Sequence, residues 1–378
     1  MLRESVILRR TYRYRLYPTA KQCVALTAQL AFACELYNIA LHQRRDAWRS
    51  RRRLIGLYQQ FRELTDLRAA GLGPTGMSCA AMRDPLRRLD RAFVALFRRL
   101  KSGQRPGFPR FRSTRRYDSL TWSQWVLRQS RIGLPGIGHI KVRWHRPLPP
   151  DAKLRTVTIR RHGRHWYVGF ALDMPAKTPL PASGQAAGLD LGITTFAALS
   201  NGERFVGPRA LRANLTRLRR AQRRLSRRLL GSQRRRKAAL VLRQLHDHVR
   251  NLRRDHAFKL ASDLVRRFDV IYVEDLNIKG LVRSRAAREI QDQGWGSFVR
   301  ILTDKAAEAG RAVIELDPQN TSQMCSACGA LVPKQLRERW HRCGCGYEAD
   351  RDTNAARNLY RLGESRQAST WPTGACVV

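Results

Sequence analysis

Apolar positions in the first 175 residues alternate between strand-like and helix-like spacing. Residues 5–16 partly alternate between apolar and polar side chains and are rich in β-branched and aromatic types, which predicts a strand. Over 18–97, apolar side chains recur at three- and four-residue spacing with an interruption near 71–76, which predicts helices. A basic, proline-containing loop at 103–112 precedes strand-like segments between 117 and 173. This order predicts a small β-barrel whose strands flank a helical insertion.

The second half of the chain follows a stretch rich in Pro, Ser and Ala at 174–185, which predicts the main domain boundary. An Asn-Gly turn within 186–207 predicts a β-hairpin, and 208–268 predict a long basic pair of helices. The remaining predicted elements are a buried strand at 269–276, a helix over about 285–309, a strand at 312–316 and a final helix from about Asp352. This order of strands and helices is typical of an RNase H-like α/β layer.

The charge of the chain narrows the class of partner. Its 378 residues include 73 Lys and Arg against 29 acidic residues, a net charge of +44, while the apolar fraction of 43% is ordinary for globular domains. A genome rich in G and C would explain the preference for Arg over Lys, but not the excess of basic over acidic residues. We therefore expect a nucleic-acid partner, bound with a steep salt dependence.

Four of the eight cysteines crowd into one short segment. Cys325 and Cys328 have C-x2-C spacing, and Cys343 and Cys345 follow with C-x-C spacing. This arrangement predicts one structural Zn²⁺ held by four thiolates, with His341 as the alternative ligand if the tight second pair does not chelate. The N-terminus lacks the apolar core of a signal peptide, and no uncharged apolar run reaches membrane-spanning length, so we expect a soluble, cytoplasmic protein.

Three acidic residues stand where buried carboxylates are costly. Asp190 and Glu274 end apolar strands, and Asp352 starts the last helix. Each has an ordinary explanation, as a satisfied turn residue for the first two and as a helix N-cap for Asp350 or Asp352. Together, three carboxylates from separate elements could hold two Mg²⁺ ions beside a phosphodiester, because hard oxygen ligands suit that ion.

The motifs that contain these residues occur in a specific order. GLDLGI is followed by VEDLN, CSACG and CGCGYEADRDTNAARN, and the N-terminal half carries YRYRLYPTAKQ, ELYNIAL, GFPRFRS and HRPLPPDAK. In this order they resemble the TnpB (OrfB) family, which is encoded by insertion sequences and is similar to the type V CRISPR effector nucleases. The resemblance covers nearly the whole chain.

The resemblance implies a multi-domain α/β fold in which an RNase H-like (RuvC) nuclease domain contains a zinc ribbon and follows a β-barrel wedge domain with a helical recognition insert. The expected ranges are 1–17 and 113–180 for the wedge-like barrel, 18–112 for the helical insert, 184–318 and 347–364 for the RuvC-like domain, 319–346 for the zinc ribbon and 365–378 for a disordered tail. Because no second nuclease domain of the HNH kind is expected between 191 and 270, one site would cut both DNA strands in turn.

By motif, Asp190, Glu274 and Asp352 match the three RuvC carboxylates, which would bind Mg²⁺ and orient the attacking water, and Asn354 would support the third acid. The C-x-C pair departs from the C-x2-C common in the family, which leaves the fourth zinc ligand in question. The resemblance further implies a guide RNA derived from the transposon end, a short target-adjacent motif and Mg-dependent cleavage of double-stranded DNA, in the bacterial cytoplasm near the nucleoid.

The target-adjacent motif would be read by side chains of the helical insert or the barrel, with Tyr58, Gln59, Ser123 and Gln124 as candidates. Three other functions fit parts of the sequence. A nuclease-inactive RNA-guided repressor should have lost at least one of the acids. A transposase would join strands itself, and a junction resolvase has no use for the zinc ribbon or the N-terminal half.

Overall fold

The computed structural model of the chain describes residues 7–175, 178–281, 286–317, 319–335 and 338–370. The chain divides into two compact units, Met1–Ala176 and Lys177–Val378, and the division falls within the stretch expected to be a linker. Each unit has its own cluster of buried apolar side chains.

The first unit combines three helices with one antiparallel sheet. Its elements are β1 (Ile7–Tyr17), α1 (Ala20–Arg51), α2 (Leu57–Ala69), α3 (Cys79–Lys101), β2 (Ser119–Trp122), β3 (Val126–Arg128), β4 (Arg131–Leu134), β5 (Gly138–Arg143), β6 (Lys153–His162) and β7 (His165–Pro175). The strands pair in the order β2-β6-β7-β1-β5-β4-β3, and every neighbouring pair is antiparallel.

This sheet must curl, because its two edge strands are neighbours in the sequence. Residues 123–125 alone connect β2 at one edge to β3 at the other. Seven flat strands would hold those edges about 29 Å apart, whereas the connection spans at most about 14 Å. Residues 120–127 have strand-like composition throughout, but the structure divides them between β2 and β3 on opposite edges of the curled sheet. Strand β4 lies within the strand-like region predicted over 117–173, although Gly133 interrupts its short apolar run.

Helix α1 packs its apolar face into the core of the first unit. Thr19 caps it, because Thr19 Oγ1 accepts the Gln22 N–H at 3.3 Å and the Gln22 side chain accepts the Thr19 N–H at 3.0 Å. Leu26, Leu30 and Tyr37 lie on its buried face. Of the helices that the structure describes, α1 alone is long and apolar enough to cross a membrane by length and composition. Half of its apolar window is buried in the unit, as is typical of a core helix.

The second unit is built on a mixed sheet. Its elements are β8 (Ala186–Asp190), β9 (Ala197–Leu199), β10 (Arg204–Phe205), α4 (Ala210–Ser226), α5 (Gln233–Arg267), β11 (Val270–Glu274), α6 (Ile278–Leu281), α7 (Ala287–Gln293), α8 (Trp295–Ala309), β12 (Ala312–Leu316), β13 (Trp340–Arg342), β14 (Glu348–Asp350) and α9 (Arg351–Thr370). Five strands pair in the order β10-β9-β8-β11-β12, with β8, β11 and β12 parallel, and β13 and β14 form a separate hairpin.

Helices cover both faces of the five-stranded sheet. Alternate residues of β8 and β11, among them Leu189 and Val273, pack against α5 and α8 on one face. On the other face, Tyr272 packs with Leu359 of α9. Gly188 allows α9 to approach β8 closely, because a Cβ at this position would overlap the backbone of α9. The second unit is therefore a three-layer α/β arrangement.

Two boundaries of the second unit differ from the sequence predictions. The helix expected over 285–309 is α7 and α8, divided at Gly294, whose φ of 71° ends the first helix in the left-handed conformation. The disordered tail expected from residue 365 begins too early, since α9 continues to Thr370 and is anchored by a hydrogen bond from Tyr272 to Glu364 at 2.9 Å. Residues 371–378 lie outside the described part of the chain.

Candidate functional site

Two neighbouring parallel strands bring Asp190 and Glu274 to one edge of the second unit's sheet. Strands β8 and β11 pair with Leu189 opposite Val273, and the two acids are the next residues of each strand. Because parallel strands end at the same edge, the two carboxylates share that edge. Both residues are less than a tenth exposed.

Helix α9 contributes the third acid at the same edge. Asp352 lies in the first turn of α9 and is 8% exposed. A Cβ on Gly192, in the loop that follows β8, would lie 3.5 Å from Asp352 Oδ2. The structure therefore gathers all three acids that the sequence analysis selected, from two strands and a helix far apart in the chain.

Burial and mutual repulsion control the protonation of these acids. Burial, followed by the charges of Glu274 and Asp352, raises the pKa of Asp190 well above its usual value. Burial also raises the pKa of Glu274, against the hydrogen bond that Thr321 Oγ1 donates to it at 2.7 Å. Burial and then the charge of Asp350 raise the pKa of Asp352. A divalent cation would offset these costs, because it favours the ionised form of every ligand.

The three carboxylates are more widely spaced than the ligands of a single ion would be. Within the described ranges, no three acidic oxygens all lie within 4.8 Å of one another. Like charges separate when no cation neutralises them, and carboxylates that share two ions about 3.5–4 Å apart need not all touch. A buried set of hard oxygen donors fits Mg²⁺ rather than a softer metal.

Arg204 connects the segments that flank two of the acids, and the sequence analysis did not select it. Arg204 Nη2 lies 3.1 Å from Thr195 Oγ1, in the loop after Asp190, and 3.0 Å from Asp350 Oδ2. Asp350 Oδ1 accepts the backbone N–H groups of Asp352 and Thr353 at 3.0 and 3.3 Å, which caps α9. No sequence pattern separates Arg204 from the other arginines, since its role depends on the meeting of β10 with the start of α9.

Asn354 was expected to support the third acid, but its hydrogen bonds go to the cysteine segment instead. Its Oδ1 accepts the Ser326 N–H at 2.9 Å and its Nδ2 donates to the Met324 carbonyl at 2.7 Å, so it ties α9 to the cysteine segment. Asn358, on the same face one turn later, donates to the carbonyl oxygens of Thr321 and Met324. Because Thr321 also bonds Glu274, these asparagines connect the cysteine segment to the second acid.

The four clustered cysteines converge on one point. Their sulfur atoms all lie within 4.8 Å of one another, with Cys325 and Cys345 at 3.8 Å and Cys328 and Cys343 at 3.5 Å. Sulfurs around a tetrahedral Zn²⁺ at about 2.3 Å would be separated by roughly 3.8 Å, so the residues fit zinc. Both thiols of the C-x-C pair belong to the cluster, which favours Cys345 over His341 as the fourth ligand.

The cysteine thiols lose their protons with unequal ease. Burial opposes the ionisation of Cys325, but the N–H groups of Cys328 and Ala327, together with the side chains of His341 and Cys328, lower the pKa of Cys325 to about 6. The N–H of Tyr347 favours ionisation of Cys345, yet the neighbouring Cys328 and Cys343 raise its pKa to about 12. The set can therefore ionise completely only with a cation among the sulfurs.

His341 lies beside this cluster without belonging to it. The side chain is fully buried, and Lys334 Nζ contacts His341 Nδ1. Among the described residues, His341 Nε2 has no hydrogen-bond partner within ordinary geometry, although the His341 side chain lies near enough to Cys325 to help lower the pKa of that thiol. Because a lysine ammonium group only donates, His341 Nδ1 accepts the hydrogen bond from Lys334.

The four candidates for motif reading lie in the first unit. Tyr58 is 80% exposed on α2, and Gln59 donates to Glu63 at 3.0 Å. Ser123 and Gln124, in the β2–β3 connection, line a cavity of about 570 Å³ together with residues around the β4–β5 turn. Within the described residues, no structural feature marks any of these four side chains as a reader of the target-adjacent motif.

Three family profiles match successive parts of the chain. The profile described as "Probable transposase" matches residues 169–285, and that described as "Cas12f1-like, TNB domain" matches 295–359. A third profile, described as "Helix-turn-helix domain", matches residues 8–53. All of these residues are described in the structure, and they form β1 followed by the single helix α1. The second range contains the four cysteines and Asp352.

Curated relatives match over most of the chain. A protein of Streptomyces pristinaespiralis named "Putative RNA-guided DNA endonuclease" is 32% identical and covers 96% of this chain and 91% of its own. The protein of Escherichia coli K12 named "Putative RNA-guided DNA endonuclease InsQ" is 30% identical over 75% of this chain and 74% of its own. Among solved structures, a Cas12f1-sgRNA-target DNA complex shares the fold with a TM-score of 0.60 and 13% identity, over 93% of this chain and 98% of that one.

Proposed function

This chain belongs to the TnpB (OrfB) family of RNA-guided DNA endonucleases, and from that premise we propose that it cuts double-stranded DNA next to a short target-adjacent motif, guided by an RNA from the transposon end. The observation that carries the proposal is the meeting of Asp190, Glu274 and Asp352 at one buried edge of the second unit's sheet. Membership of the family supports the use of RNA and DNA, and the three acids support cleavage.

The proposed chemistry is phosphodiester hydrolysis at these three carboxylates. Asp190, Glu274 and Asp352 would hold two Mg²⁺ ions, which when bound would supply an activated water and stabilise the departing oxygen. The protein's own residues keep the acids in position. Thr321 orients the Glu274 carboxylate, Asp350 caps the helix that carries Asp352, and Arg204 joins that cap to the loop after Asp190.

The domain assignment follows from the same proposal. The curled sheet of the first unit would be the wedge-like barrel (1–17 and 113–180), and α1 to α3 the recognition insert (18–112). The second unit would be a RuvC-like nuclease domain (184–318 and 347–364) with the four-cysteine ribbon (319–346). Residues 191–269 are all described and hold β9, β10, α4 and α5, so the single acid site would cut both strands in turn.

Arginine-rich surfaces would hold the nucleic acids by their backbones. Five arginines of the α4 end, which we call the α4 arginine cluster, line one cavity of about 450 Å³: Arg220, Arg223, Arg224, Arg227 and Arg228. A surface of this charge suits phosphates and carries no sequence information, which the guide would supply by base pairing. The solved structural relative is titled as a complex with RNA and target DNA, which supports the same pair of partners here. Such a protein would work in the bacterial cytoplasm, near the nucleoid.

A transposase that joins strands itself is the second candidate, because one matching profile is described as "Probable transposase". Three carboxylates and Mg²⁺ suit strand transfer as well as hydrolysis. A nuclease-inactive repressor is disfavoured, since all three acids are present and lie together. The cysteine ribbon and the first unit have no role in a junction resolvase.

The test is cleavage by the purified protein together with its co-purifying RNA. Sequencing that RNA should yield a discrete species that ends in variable sequence, and the complex should linearise a plasmid that carries the matching target. Asp190→Ala should abolish linearisation but retain guide-dependent DNA binding. Bulk ribosomal fragments as the sole RNA, or strand-joined products formed without RNA, would reject the proposed function.

A further inference from the structure

The first unit has a large apolar cavity that the proposed reaction does not use. It has a volume of about 770 Å³ and opens between the ends of α1 and α3, the α1–α2 connection and the loop after α3. Six of its lining side chains are apolar and 46–72% exposed: Trp48, Leu54, Val94, Phe97, Leu100 and Phe108. Exposed apolar side chains that gather in one concave surface are typical of a binding site.

Guanidinium groups accompany the aromatic rings of this cavity. Arg45 lies over Phe108 at 5.8 Å and over Phe111 at 5.3 Å, and Arg52 lies over Trp48 at 5.5 Å. Half-exposed rings beside arginines are the combination with which proteins bind unpaired bases, since the ring stacks on the base and the cation attracts the phosphate.

The walls of the cavity are held in place before any ligand arrives. Arg44 is 9% exposed, donates to Gln60 at 3.0 Å and contacts Asp90 Oδ1 at 3.2 Å. Phe93 meets Phe108 edge to face with ring centroids 5.5 Å apart. The loop that carries Phe108 is fixed at its end by Asn38, which exchanges two hydrogen bonds of 2.8 Å with the Arg112 backbone. A preformed cavity loses little conformational entropy on binding.

We propose that this cavity binds unpaired nucleotides of single-stranded RNA, with bases stacked on Trp48 and Phe108 and phosphates against Arg45 and Arg49. The source is an unpaired stretch of the guide RNA, so the identity of the RNA rests on the proposed function, whereas the binding of bases does not. The volume of about 770 Å³ accommodates more than one base.

Charge favours RNA over a second copy of this chain. Three arginines line the cavity, and the acid that lines it, Asp90, is already paired with Arg44. Two copies that met through this surface would bring their arginines together without acids to neutralise them, in a chain of net charge +44. Single-stranded RNA matches both features of the cavity. Its bases offer flat faces to the apolar lining, and its phosphates can pair with the arginines.

The experiment compares two probes of equal charge on the full chain. Fluorescence anisotropy measures binding of a 12-nucleotide adenosine RNA and of the matching abasic sugar–phosphate strand at several salt concentrations. The wild-type protein should prefer the base-bearing strand at least roughly 5-fold, since each stacked base contributes a factor of roughly 5 to 150. The Trp48→Ala and Phe108→Ala double variant should lose this preference, while the dependence of affinity on salt stays the same because the phosphate contacts remain.

Two further variants control for damage to the fold. Trp48→Phe keeps an aromatic ring and should keep most of the preference for bases. Tyr17→Ala removes a ring of similar exposure, 43%, that lies outside the cavity. This variant should bind both probes with wild-type affinity. The proposal is overturned if the double variant keeps the wild-type preference. It is equally overturned if light scattering finds a wild-type dimer that the double variant abolishes without a change in RNA binding. Neither outcome bears on DNA cleavage at the three acids.

Discussion

Arg204 Nη2 lies 3.0 Å from Asp350 Oδ2, and this ion pair joins the β9–β10 hairpin to the cap of the helix that carries Asp352. The same nitrogen reaches Thr195 in the loop that follows Asp190 at 3.1 Å. One guanidinium therefore constrains the surroundings of the first and third acids. Its contribution is to positioning, since Asp350 and Thr195 lie between Arg204 and the carboxylates.

Replacement of Arg204 should slow cleavage without loss of RNA binding. Arg204 is 45% exposed, so the pair is partly screened, and we expect Arg204→Ala to reduce single-turnover cleavage roughly two- to ten-fold. The loss should diminish as Mg²⁺ is raised, because the ions themselves draw the acids together. The cleavage rate of Arg204→Lys should lie between those of Arg204→Ala and the wild type. Arg160→Ala breaks a comparable pair with Asp118 in the first unit and should leave the rate unchanged. Equal cleavage rates for Arg204→Ala and the wild type would show that Arg204 does not help to position the acids.

Neutralisation of Asp190 should stabilise the metal-free protein while it abolishes cleavage. Burial and the neighbouring acids raise the pKa of Asp190, so its ionisation costs stability in the absence of a cation. A raised folded-state pKa means that this cost is absent below about pH 4 and appears as pH rises towards neutrality. Asp190→Asn should therefore have a higher Tm than the wild type near pH 7.5, by about 2–4 °C per kcal/mol relieved, and no advantage near pH 4.

The measurement is a melting series in chelator from pH 4 to pH 8 on both proteins. Added Mg²⁺ should raise the Tm of the wild type and do little for the variant. A variant that melts below the wild type at neutral pH would mean that Asp190 is already neutralised by some group other than a metal.

Zinc removal should destabilise the second unit. The four sulfurs are already close enough for one tetrahedral ion, so wild-type protein should contain one zinc per chain by elemental analysis. Cys325→Ser should lose the zinc and several kcal/mol of stability, at roughly 2–4 °C of Tm for each kcal/mol. Cys79→Ser, in α3 of the first unit, is the matched control and should keep both. A zinc content that survives Cys325→Ser, Cys328→Ser and Cys345→Ser alike would refute the site.

The α4 arginine cluster should contribute to the salt dependence of nucleic-acid binding. Arg220, Arg223, Arg224 and Arg227 lie within one cavity, and each contact with a phosphate adds about 0.7–0.9 to the slope of log affinity against log salt. Replacement of these four of the five arginines by Gln should flatten the slope by about 3 if each holds a phosphate. An unchanged slope would show that this surface faces solvent in the complex.

The acids were predictable from the sequence because their signal is local. Asp190 and Glu274 each end an apolar strand, which marks them as candidates in the sequence, and the parallel pairing of β8 with β11 then brings them to one edge. The paired cysteines carry a similar signal, since short spacing on glycine-rich turns favours chelation. The sequence left the C-x-C pair in question, but both of its thiols lie within the four-cysteine cluster.

The positioning residues were not predictable, because their partners are set by packing. Asn354 follows Asp352 by two residues, yet its side chain points to Met324 and Ser326 once α9 docks beside the cysteine segment. Arg204 and Thr321 are unremarkable in sequence and gain roles only through tertiary contacts. A barrel-like sheet was predicted, but the placement of β2 and β3 on its opposite edges was not, since their pairing order does not follow from their apolar pattern.

The most direct measurement is the crystal structure of the full chain with Mn²⁺ in place of Mg²⁺, with the ions located by anomalous scattering. The account predicts two peaks about 3.5–4 Å apart, bounded by the carboxylates of Asp190, Glu274 and Asp352, and their loss in Asp190→Asn. Mn²⁺ bound elsewhere, with these three carboxylates free of metal at saturating concentration, would contradict it.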